Sequence, residues 1–100
     1  MGYIYKISNN KTGETYIGQT TIARPIKRWR AHISHSRKGT NKNPLYRDMR
    51  ILGEEHFTFE VIESTLDMNL NKREQYYMDL HDSINNGYNI IPAQGIRYRV

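Results

Sequence analysis

The sequence predicts an α+β domain: a small antiparallel sheet packed by about three helices, in the order β-β-α-α-β-α with a short terminal strand. Three observations support this class. Two strand-like segments flank a polar turn near the amino terminus, three later segments have apolar residues at helical spacing, and an alternating segment lies between the second and third of these. With 100 residues the chain suits one small domain, which we place at residues 1–92, followed by a basic tail at 93–100.

The first two strands, residues 3–7 and 15–19, are predicted to form a hairpin. Both are rich in tyrosine and isoleucine, which favour half-buried strands, and the residues between them favour turns. A four-residue turn at 9–12 would place Tyr5 opposite Tyr16 on one side of the sheet. Two phenols are therefore expected side by side, although tyrosine is common enough in strands that the pair alone does not indicate a function.

A first helix is predicted after the hairpin, with Thr20 or Thr21 as its cap and Pro25 in its first turn. Basic residues followed by Gly39 favour its end. Its buried stripe is expected to consist of four apolar residues at helical spacing, Ile22, Ile26, Trp29 and Ile33. An adjoining polar stripe is formed by Arg24, Arg28, His32 and His35. A solvated basic face is the ordinary explanation for such a stripe.

A second, shorter helix is predicted to begin with Asn43 as its N-cap and Pro44 in its first position, and to end at Gly53. Its apolar stripe consists of Leu45, Met49 and Leu52. A third strand follows the helix. The inward face of this strand is expected to alternate through Phe57, Phe59 and Val61.

A third helix is predicted from Asp67 or Asn69 to about Asp82. Its inward stripe is expected to contain Leu70, Tyr77, Met78 and His81. Glu74 lies inside that stripe, where a carboxylate is costly unless it is paired, hydrogen-bonded or bound to a metal. A buried ion pair with an arginine and a metal site both remain open. After a turn, residues 88–91 are predicted to form the short final strand.

Charge is distributed unevenly along the chain, whose net charge is +5. Residues 1–53 carry 11 Lys and Arg against 2 acidic residues, whereas residues 54–100 carry 4 against 8. The basic half suits a polyanion, and nucleic acid is favoured over phospholipid because no helix combines its lysines with a large apolar face. No cysteine, signal peptide or membrane-length apolar segment is present, so we expect an intracellular protein without disulfides or a membrane partner.

The hairpin resembles the two-part signature of the GIY-YIG nuclease superfamily. Tyr16-Ile17-Gly18 matches its second half in full, while in the first half Tyr3 replaces the opening glycine and Tyr5 falls at the motif's tyrosine. The resemblance runs from Tyr3 to about Ile91 and implies the same α+β architecture. It rests on five ordered matches, which are Tyr5, Tyr16, Arg28, Glu74 and Asn89.

By this resemblance, the chain is a metal-dependent endonuclease that hydrolyses DNA phosphodiester bonds. Glu74 would hold Mg²⁺ or Mn²⁺, hard ions that accept oxygen ligands, and no small-molecule organic cofactor is expected. Tyr5 would take the proton of the attacking water, which requires a nearby cation to favour its phenolate because a free phenol has a pKa of about 10. Tyr16 would contact the phosphate or the nucleophile, and Arg28 would offset developing negative charge.

His32 occupies a position where several family members place a histidine or tyrosine that helps proton transfer, and Asn89 matches an asparagine that closes the site in homing endonucleases. The homing-endonuclease branch is therefore favoured. Its enzymes carry a separate DNA-recognition domain, which does not fit in 100 residues, so a catalytic fragment or a minimal nuclease is expected, acting as a monomer or as a transient dimer on DNA. Five residues are expected to contact the DNA backbone, namely Arg24, Lys27, Arg30, His35 and Lys42.

Two other classes of function remain open at this point. A non-catalytic nucleic-acid-binding module would stack exposed tyrosines on bases and contact phosphates with its basic helix, but it leaves the inward Glu74 unexplained. The other class is an interaction domain whose charges only confer solubility. Cleavage of a supercoiled plasmid with Mg²⁺, and its loss with a chelator, would separate an endonuclease from both alternatives.

Overall fold

The computed structural model describes residues 1–39 and 43–89, and within them it confirms the predicted α+β class and element order. Three strands form an antiparallel sheet with the order β2-β1-β3. The elements are β1 (Gly2–Asn9), β2 (Thr15–Thr20), α1 (Ile26–Lys38), α2 (Pro44–Leu52), β3 (Phe57–Thr65) and α3 (Leu70–His81). The basic tail at 93–100 and the second half of the predicted terminal strand lie outside the described residues. Tyr88 and Asn89, its first half, lie in irregular backbone.

The pairing of β1 with β2 differs from the predicted register by two residues. Tyr5 lies opposite Gly18, and Tyr16 lies opposite Ile7, so the direct pairing of Tyr5 with Tyr16 was wrong. A shift of two residues keeps every side chain on its own face of the sheet, because side chains alternate along a strand. The two phenols therefore still share one face, as diagonal neighbours.

The turn itself explains the shifted register. Asn9 and Glu14 close the hairpin, with the Asn9 N–H donating to the Glu14 carbonyl at 2.9 Å. The Asn9 side-chain oxygen accepts from the backbone N–H groups of Lys11 at 2.9 Å and Thr12 at 3.3 Å. Gly13 completes the turn at a φ of 82°, where a glycine is favoured. The Asn9 side chain thus moves the turn one residue along from the predicted position.

Two consecutive hydrogen bonds through the Tyr88 hydroxyl connect this turn to the helical side of the sheet. The Asn9 amide nitrogen donates to the Tyr88 hydroxyl at 2.9 Å, and that hydroxyl donates to the Asp48 carboxylate at 2.7 Å. Burial raises the pKa of Tyr88 to about 12, so its proton stays in place at neutral pH. The hairpin turn, α2 and the segment after α3 are joined by these two hydrogen bonds.

Both faces of the sheet are covered by helices. The face under α1 and α2 carries the larger cluster of buried residues, which contains Tyr5, Ile7, Leu45, Tyr46, Met49, Phe57 and Tyr88. The opposite face is covered by α3, and its buried residues are Ile4, Ile17, Leu70 and Met78. Because β1 is central, its side chains contribute alternately to the two clusters.

Helix α1 differs from its prediction at its amino-terminal end. It begins at Ile26 without a side-chain cap, while the Thr20 hydroxyl accepts from the Ile22 N–H at 3.2 Å in the preceding loop. Ile22 and Ile26 are 42% and 41% exposed, so only Trp29 and Ile33 of the predicted stripe pack against the core. The stripe was wrong at its first two positions: Ile22 lies in the segment 21–25 before the helix, where helical spacing does not apply, and Ile26 is the first residue of α1, at the end of the helix. The helix ends at Gly39, as predicted.

The remaining elements follow their predictions closely. Asn43 caps α2 by accepting from the Leu45 N–H at 2.9 Å, with Pro44 in the first helical position. In β3, Phe57 is buried and Phe59 packs on the core, whereas Val61 is 44% exposed against expectation. Val61 lies on the edge strand β3, next to the shift in its register with β1 between Ile4 and Tyr5, where the alternation of the strand is interrupted.

Helix α3 is preceded by a single 3-10 turn, Asp67–Asn69, and ends at Asp82 in the left-handed conformation, with a φ of 50°. Its inward side buries Leu70, Glu74 and Met78, as the sequence predicted. None of the helices in the described residues is long and apolar enough to cross a membrane.

Candidate active site

Three tyrosine rings surround His32 on the sheet face that α1 and α2 cover. The His32 ring lies 5.7 Å from the Tyr5 ring, 5.6 Å from Tyr16 and 5.7 Å from Tyr46, measured between centroids. Tyr5 and His32 are each 1% exposed, and Tyr16 is half-buried. The hairpin supplies two of these phenols, α1 supplies the imidazole, and α2 supplies the third phenol.

The Tyr5 ring lies across the backbone of Gly18, its partner on β2. A Cβ atom at Gly18 would collide with the Tyr5 ring and with its hydroxyl oxygen. The neighbouring Tyr16 ring is 6.3 Å from that of Tyr5, in a tilted arrangement. Glycine at position 18 therefore leaves the space through which Tyr5 extends toward α1.

Two hydrogen bonds of equal length hold His32 between two phenols. The Tyr5 hydroxyl is 2.8 Å from His32 Nε2, and the Tyr46 hydroxyl is 2.8 Å from His32 Nδ1. Burial, reinforced by the charges of Arg28 and His35, lowers the pKa of His32 to about 3. The ring is therefore neutral at physiological pH, with one nitrogen donating and the other accepting.

The charge of Arg28 acts on the tyrosines and on His32 in this cluster. The half-buried Arg28 guanidinium group carries a positive charge that favours the ionised form of the Tyr5 phenol and so acts to lower the pKa of Tyr5. Burial and the neighbouring Tyr16 act in the opposite direction and prevail, so the pKa of Tyr5 lies well above its usual range. Arg28 thus favours the Tyr5 phenolate, as expected, but desolvation of the phenol outweighs the Arg28 charge.

Glu74 approaches from α3, on the other side of the sheet. Its side chain is 6% exposed, and its Oε1 atom accepts from the Gln19 amide nitrogen at 2.7 Å. The same amide donates to Asn71 at 2.7 Å. The Glu74 charge raises the pKa of both Tyr16 and Tyr5, so the carboxylate acts on the same cluster as Arg28, with the opposite sign.

Asn89 lies beside the cluster and pairs with the outer edge of β2. Its side-chain oxygen accepts from the Ile17 N–H at 2.8 Å, and its amide nitrogen donates to the Ile17 carbonyl at 2.9 Å. The Asn89 amide thus makes the two hydrogen bonds to the Ile17 backbone that a residue of an adjacent strand would make. The Tyr88 N–H donates to the Thr15 carbonyl at 2.8 Å and extends this pairing. Asn89 holds the strand that carries Tyr16.

Residues 1–89 match the family of GIY-YIG catalytic domains. The chain belongs to this family. It is 26% identical to the catalytic domain of homing endonuclease I-TevI, with a TM-score of 0.79 over 91% of this chain and 99% of that one. A glutamate-to-alanine mutant of the catalytic domain of intron endonuclease I-TevI gives 26% identity and a TM-score of 0.78, over 92% of this chain and 96% of the other. No curated protein matches the chain.

The predicted polar stripe of this GIY-YIG domain is divided between its interior and its surface. Arg28 and His32 face the tyrosines, whereas Arg24 and His35 are exposed. Lys27 and Arg30 are exposed as well, and Lys42 lies outside the described residues. The structure therefore brings five predicted site residues together around the hairpin and leaves the predicted DNA-contacting residues at the surface. The five are Tyr5, Tyr16, Arg28, His32 and Glu74.

Sequence analysis missed two members of the GIY-YIG site, Tyr46 and Gln19. Tyr46 follows Leu45 on the buried side of α2, but the predicted apolar stripe of that helix did not include it. Its phenol among apolar neighbours was the available signal, since a buried tyrosine hydroxyl needs a partner. Gln19 follows the motif glycine by one residue, and its face of the strand is the one that α3 covers.

The low pKa of His32 makes the folded GIY-YIG domain less stable in mild acid. Between pH 6.5 and about 3 the unfolded chain binds a proton at His32 and the folded chain does not. Stability should therefore fall as pH drops below 6.5, by up to about 1.4 kcal/mol per pH unit from this residue, and should not depend on it above 6.5. Urea unfolding at pH 5 and pH 7 measures the difference for the parent and for His32→Gln.

His35→Gln, an exposed substitution one helical turn along, is the matched control. The His35→Gln variant should retain the pH dependence of the parent, whereas His32→Gln should lose about 2 kcal/mol of it between pH 6.5 and 5. Identical pH dependence in the parent and His32→Gln would contradict the assignment. All titrating groups other than His32 and His35 are common to the three proteins and cancel in the comparison.

Proposed function

We propose that this protein is a divalent-metal-dependent DNA endonuclease that hydrolyses phosphodiester bonds at a single GIY-YIG site. The observation that carries the proposal is the Tyr5 hydroxyl, which lies 2.8 Å from the neutral His32 ring and is acted on by the positive charge of Arg28. Family membership supports it, as do two similar structures whose names describe endonucleases. A proton acceptor, a cation and a carboxylate are thus arranged around one hydroxyl group.

The proton of the attacking water passes through Tyr5 to His32 in this proposal. The Tyr5 oxygen takes the water's proton while its own proton moves to His32 Nε2, 2.8 Å away. A free phenolate, which burial opposes, never has to form. A DNA phosphate beside Arg28 offsets one of the charges that lower the pKa of His32, and so makes the imidazole a better acceptor once substrate is bound.

Arg28 and Tyr16 act on the phosphate. The guanidinium group presents several N–H donors in a plane, which suits phosphate oxygens whose negative charge increases in the transition state. Tyr16 is half-buried and diagonal to Tyr5, so its hydroxyl can contact the same phosphate or the attacking water. Neither side chain needs to ionise for this role.

Glu74 is the residue that would hold Mg²⁺ or Mn²⁺. In the described residues no three His, Cys, Asp or Glu side chains gather as a metal-binding group, which disfavours zinc. A lone carboxylate suits a hard ion that keeps several waters and completes its coordination with phosphate oxygens. When bound, such an ion stabilises negative charge on the phosphate. The Gln19 amide would keep the carboxylate oriented.

The surface of α1 and the loop before it supply the proposed DNA contacts. Arg24, Lys27 and Arg30 are exposed, and they belong to the basic first half of the sequence. His35 is exposed at the other end of the helix, and Lys42 remains part of the prediction. The resulting positive potential would attract the DNA backbone without regard to sequence.

A nucleic-acid-binding module that stacks bases on the hairpin tyrosines is disfavoured by burial. Tyr5 is 1% exposed and Tyr16 is half-buried, and both rings pack against His32. Base stacking needs an open ring face. The catalytic proposal uses the hydroxyl group of Tyr5 instead, and this is the group that the structure connects to other polar atoms.

Cleavage of supercoiled plasmid is the direct test of the proposal. We expect nicked or linear product with Mg²⁺ or Mn²⁺ and none with a chelator. Glu74→Gln, which removes the charge and keeps the size, should abolish cleavage while DNA affinity stays close to that of the parent. Glu60→Gln, at an exposed glutamate of β3, is the control and should cleave normally. Undiminished nicking by Glu74→Gln would show that this carboxylate is structural.

Tyr5→Phe deletes one oxygen atom and preserves the ring that packs over Gly18. We expect the single-turnover cleavage rate to fall by roughly 10² to 10⁴, the usual contribution of a positioned proton acceptor. Tyr3→Phe makes the same chemical change two residues earlier, at a half-buried tyrosine outside the cluster, and should have little effect. Equal rates for the two variants would rule out a role for the Tyr5 hydroxyl in the reaction.

Neutralising Arg24, Lys27 and Arg30 together should weaken binding to all duplex sequences alike. The slope of log affinity against log salt should become less steep by roughly 0.9 for each phosphate that the variant no longer neutralises, or about 2.7 if each side chain neutralises one. Fluorescence anisotropy between low and physiological salt measures the slope. Lys72→Ala, at an exposed lysine on α3, is the control. An unchanged slope in the triple variant would place the DNA elsewhere.

A further inference from the structure

Tyr46 is the polar neighbour of His32 for which the proposed reaction has no role so far. It lies on α2, is 6% exposed, and its hydroxyl is 2.8 Å from His32 Nδ1. The outer side of its ring contacts His35, with centroids 6.0 Å apart. Nothing in the reaction requires Tyr46 to meet the substrate, because His32 lies between it and Tyr5.

The direction of the two hydrogen bonds follows from the charge beside Tyr5. The positive charge of Arg28 acts on the Tyr5 hydroxyl and favours the orientation in which its oxygen faces the guanidinium group and its hydrogen points away from it. The proton of the Tyr5 hydroxyl is then free to point to His32 Nε2, 2.8 Å away, and Nε2 accepts it. A neutral imidazole has a single N–H group, which must therefore be on Nδ1 and must donate to the Tyr46 oxygen.

We propose that Tyr46 is a positioning residue that holds His32 in the Nδ1–H tautomer, so that Nε2 faces Tyr5 as a proton acceptor. In the other tautomer Nε2 would carry a hydrogen and could not receive the Tyr5 proton. After the transfer, the imidazolium still donates from Nδ1 to Tyr46, so no group has to rotate. The expected effect of Tyr46 on the cleavage rate rests on the proposed function, whereas the assignment of the His32 tautomer does not.

The tautomer can be observed without DNA, metal or activity. In protein labelled with ¹⁵N at histidine, long-range ¹H–¹⁵N correlations at pH 7 distinguish Nδ1–H from Nε2–H rings. We expect the Nδ1–H pattern for His32 in the parent, and loss of that preference in Tyr46→Phe. Tyr88→Phe deletes another buried phenol oxygen of the same core, away from His32, and should keep the parent pattern. An Nε2–H pattern in the parent would overturn the proposal, even if Tyr46→Phe does not fold.

Cleavage provides the second measurement. Tyr46→Phe should lower the single-turnover rate by roughly 10- to 100-fold, as the loss of a partner that orients a histidine commonly does. Its DNA affinity should remain at the parent value, and Tyr88→Phe should cleave at nearly the parent rate. A lost tautomer preference with an unchanged rate would overturn the positioning role. If the parent shows the Nδ1–H pattern but cuts no DNA, the proposed function fails and the tautomer assignment stands.

Discussion

The hydrogen bond between Tyr5 and His32 is the contact on which the placement of α1 depends. Both residues are 1% exposed, so separating them would leave buried polar groups without partners, at a cost of about 1–3 kcal/mol for each group. Trp29 and Ile33 also pack this helix against the core as partly buried residues, while the residues it buries fully are His32 and Ser36. The helix is therefore held by apolar packing together with the polar group that also carries the proposed chemistry.

The glycine of the Tyr-Ile-Gly motif makes that hydrogen bond possible. Gly18 is buried in the middle of a strand, where glycine weakens the sheet, and its φ does not require glycine. The reason for a glycine lies in its neighbour, since the Tyr5 ring occupies the space of the missing Cβ atom. A larger residue at position 18 would displace the Tyr5 hydroxyl from His32. Strand stability thus disfavours glycine at position 18, whereas the position of the Tyr5 ring in the site requires it, and glycine is the residue present.

The parts of the fold that the sequence predicted correctly are those governed by local interactions. Asn43 and Pro44 start α2 through contacts within three residues, and the period of α3 places Glu74 inward without reference to the rest of the chain. The hairpin register failed because the Asn9 side chain competes with the backbone for the turn. Tyr46 was missed because its partner is 14 residues away on another helix, a contact that no periodic pattern contains.

The position of β2 at the edge of the sheet explains how groups from both faces meet. Tyr5, Tyr16 and His32 lie on the face under α1, whereas Glu74 comes from α3 on the other face, yet its charge acts on both phenols. If β2 were a central strand, a further strand along its outer side would separate these groups. Here the outer side of β2 is paired at Ile17 by the Asn89 amide and at Thr15 by the Tyr88 N–H. Among residues 1–39 and 43–89, one side chain and one backbone N–H group thus provide the pairing that a fourth strand would give to this part of the edge.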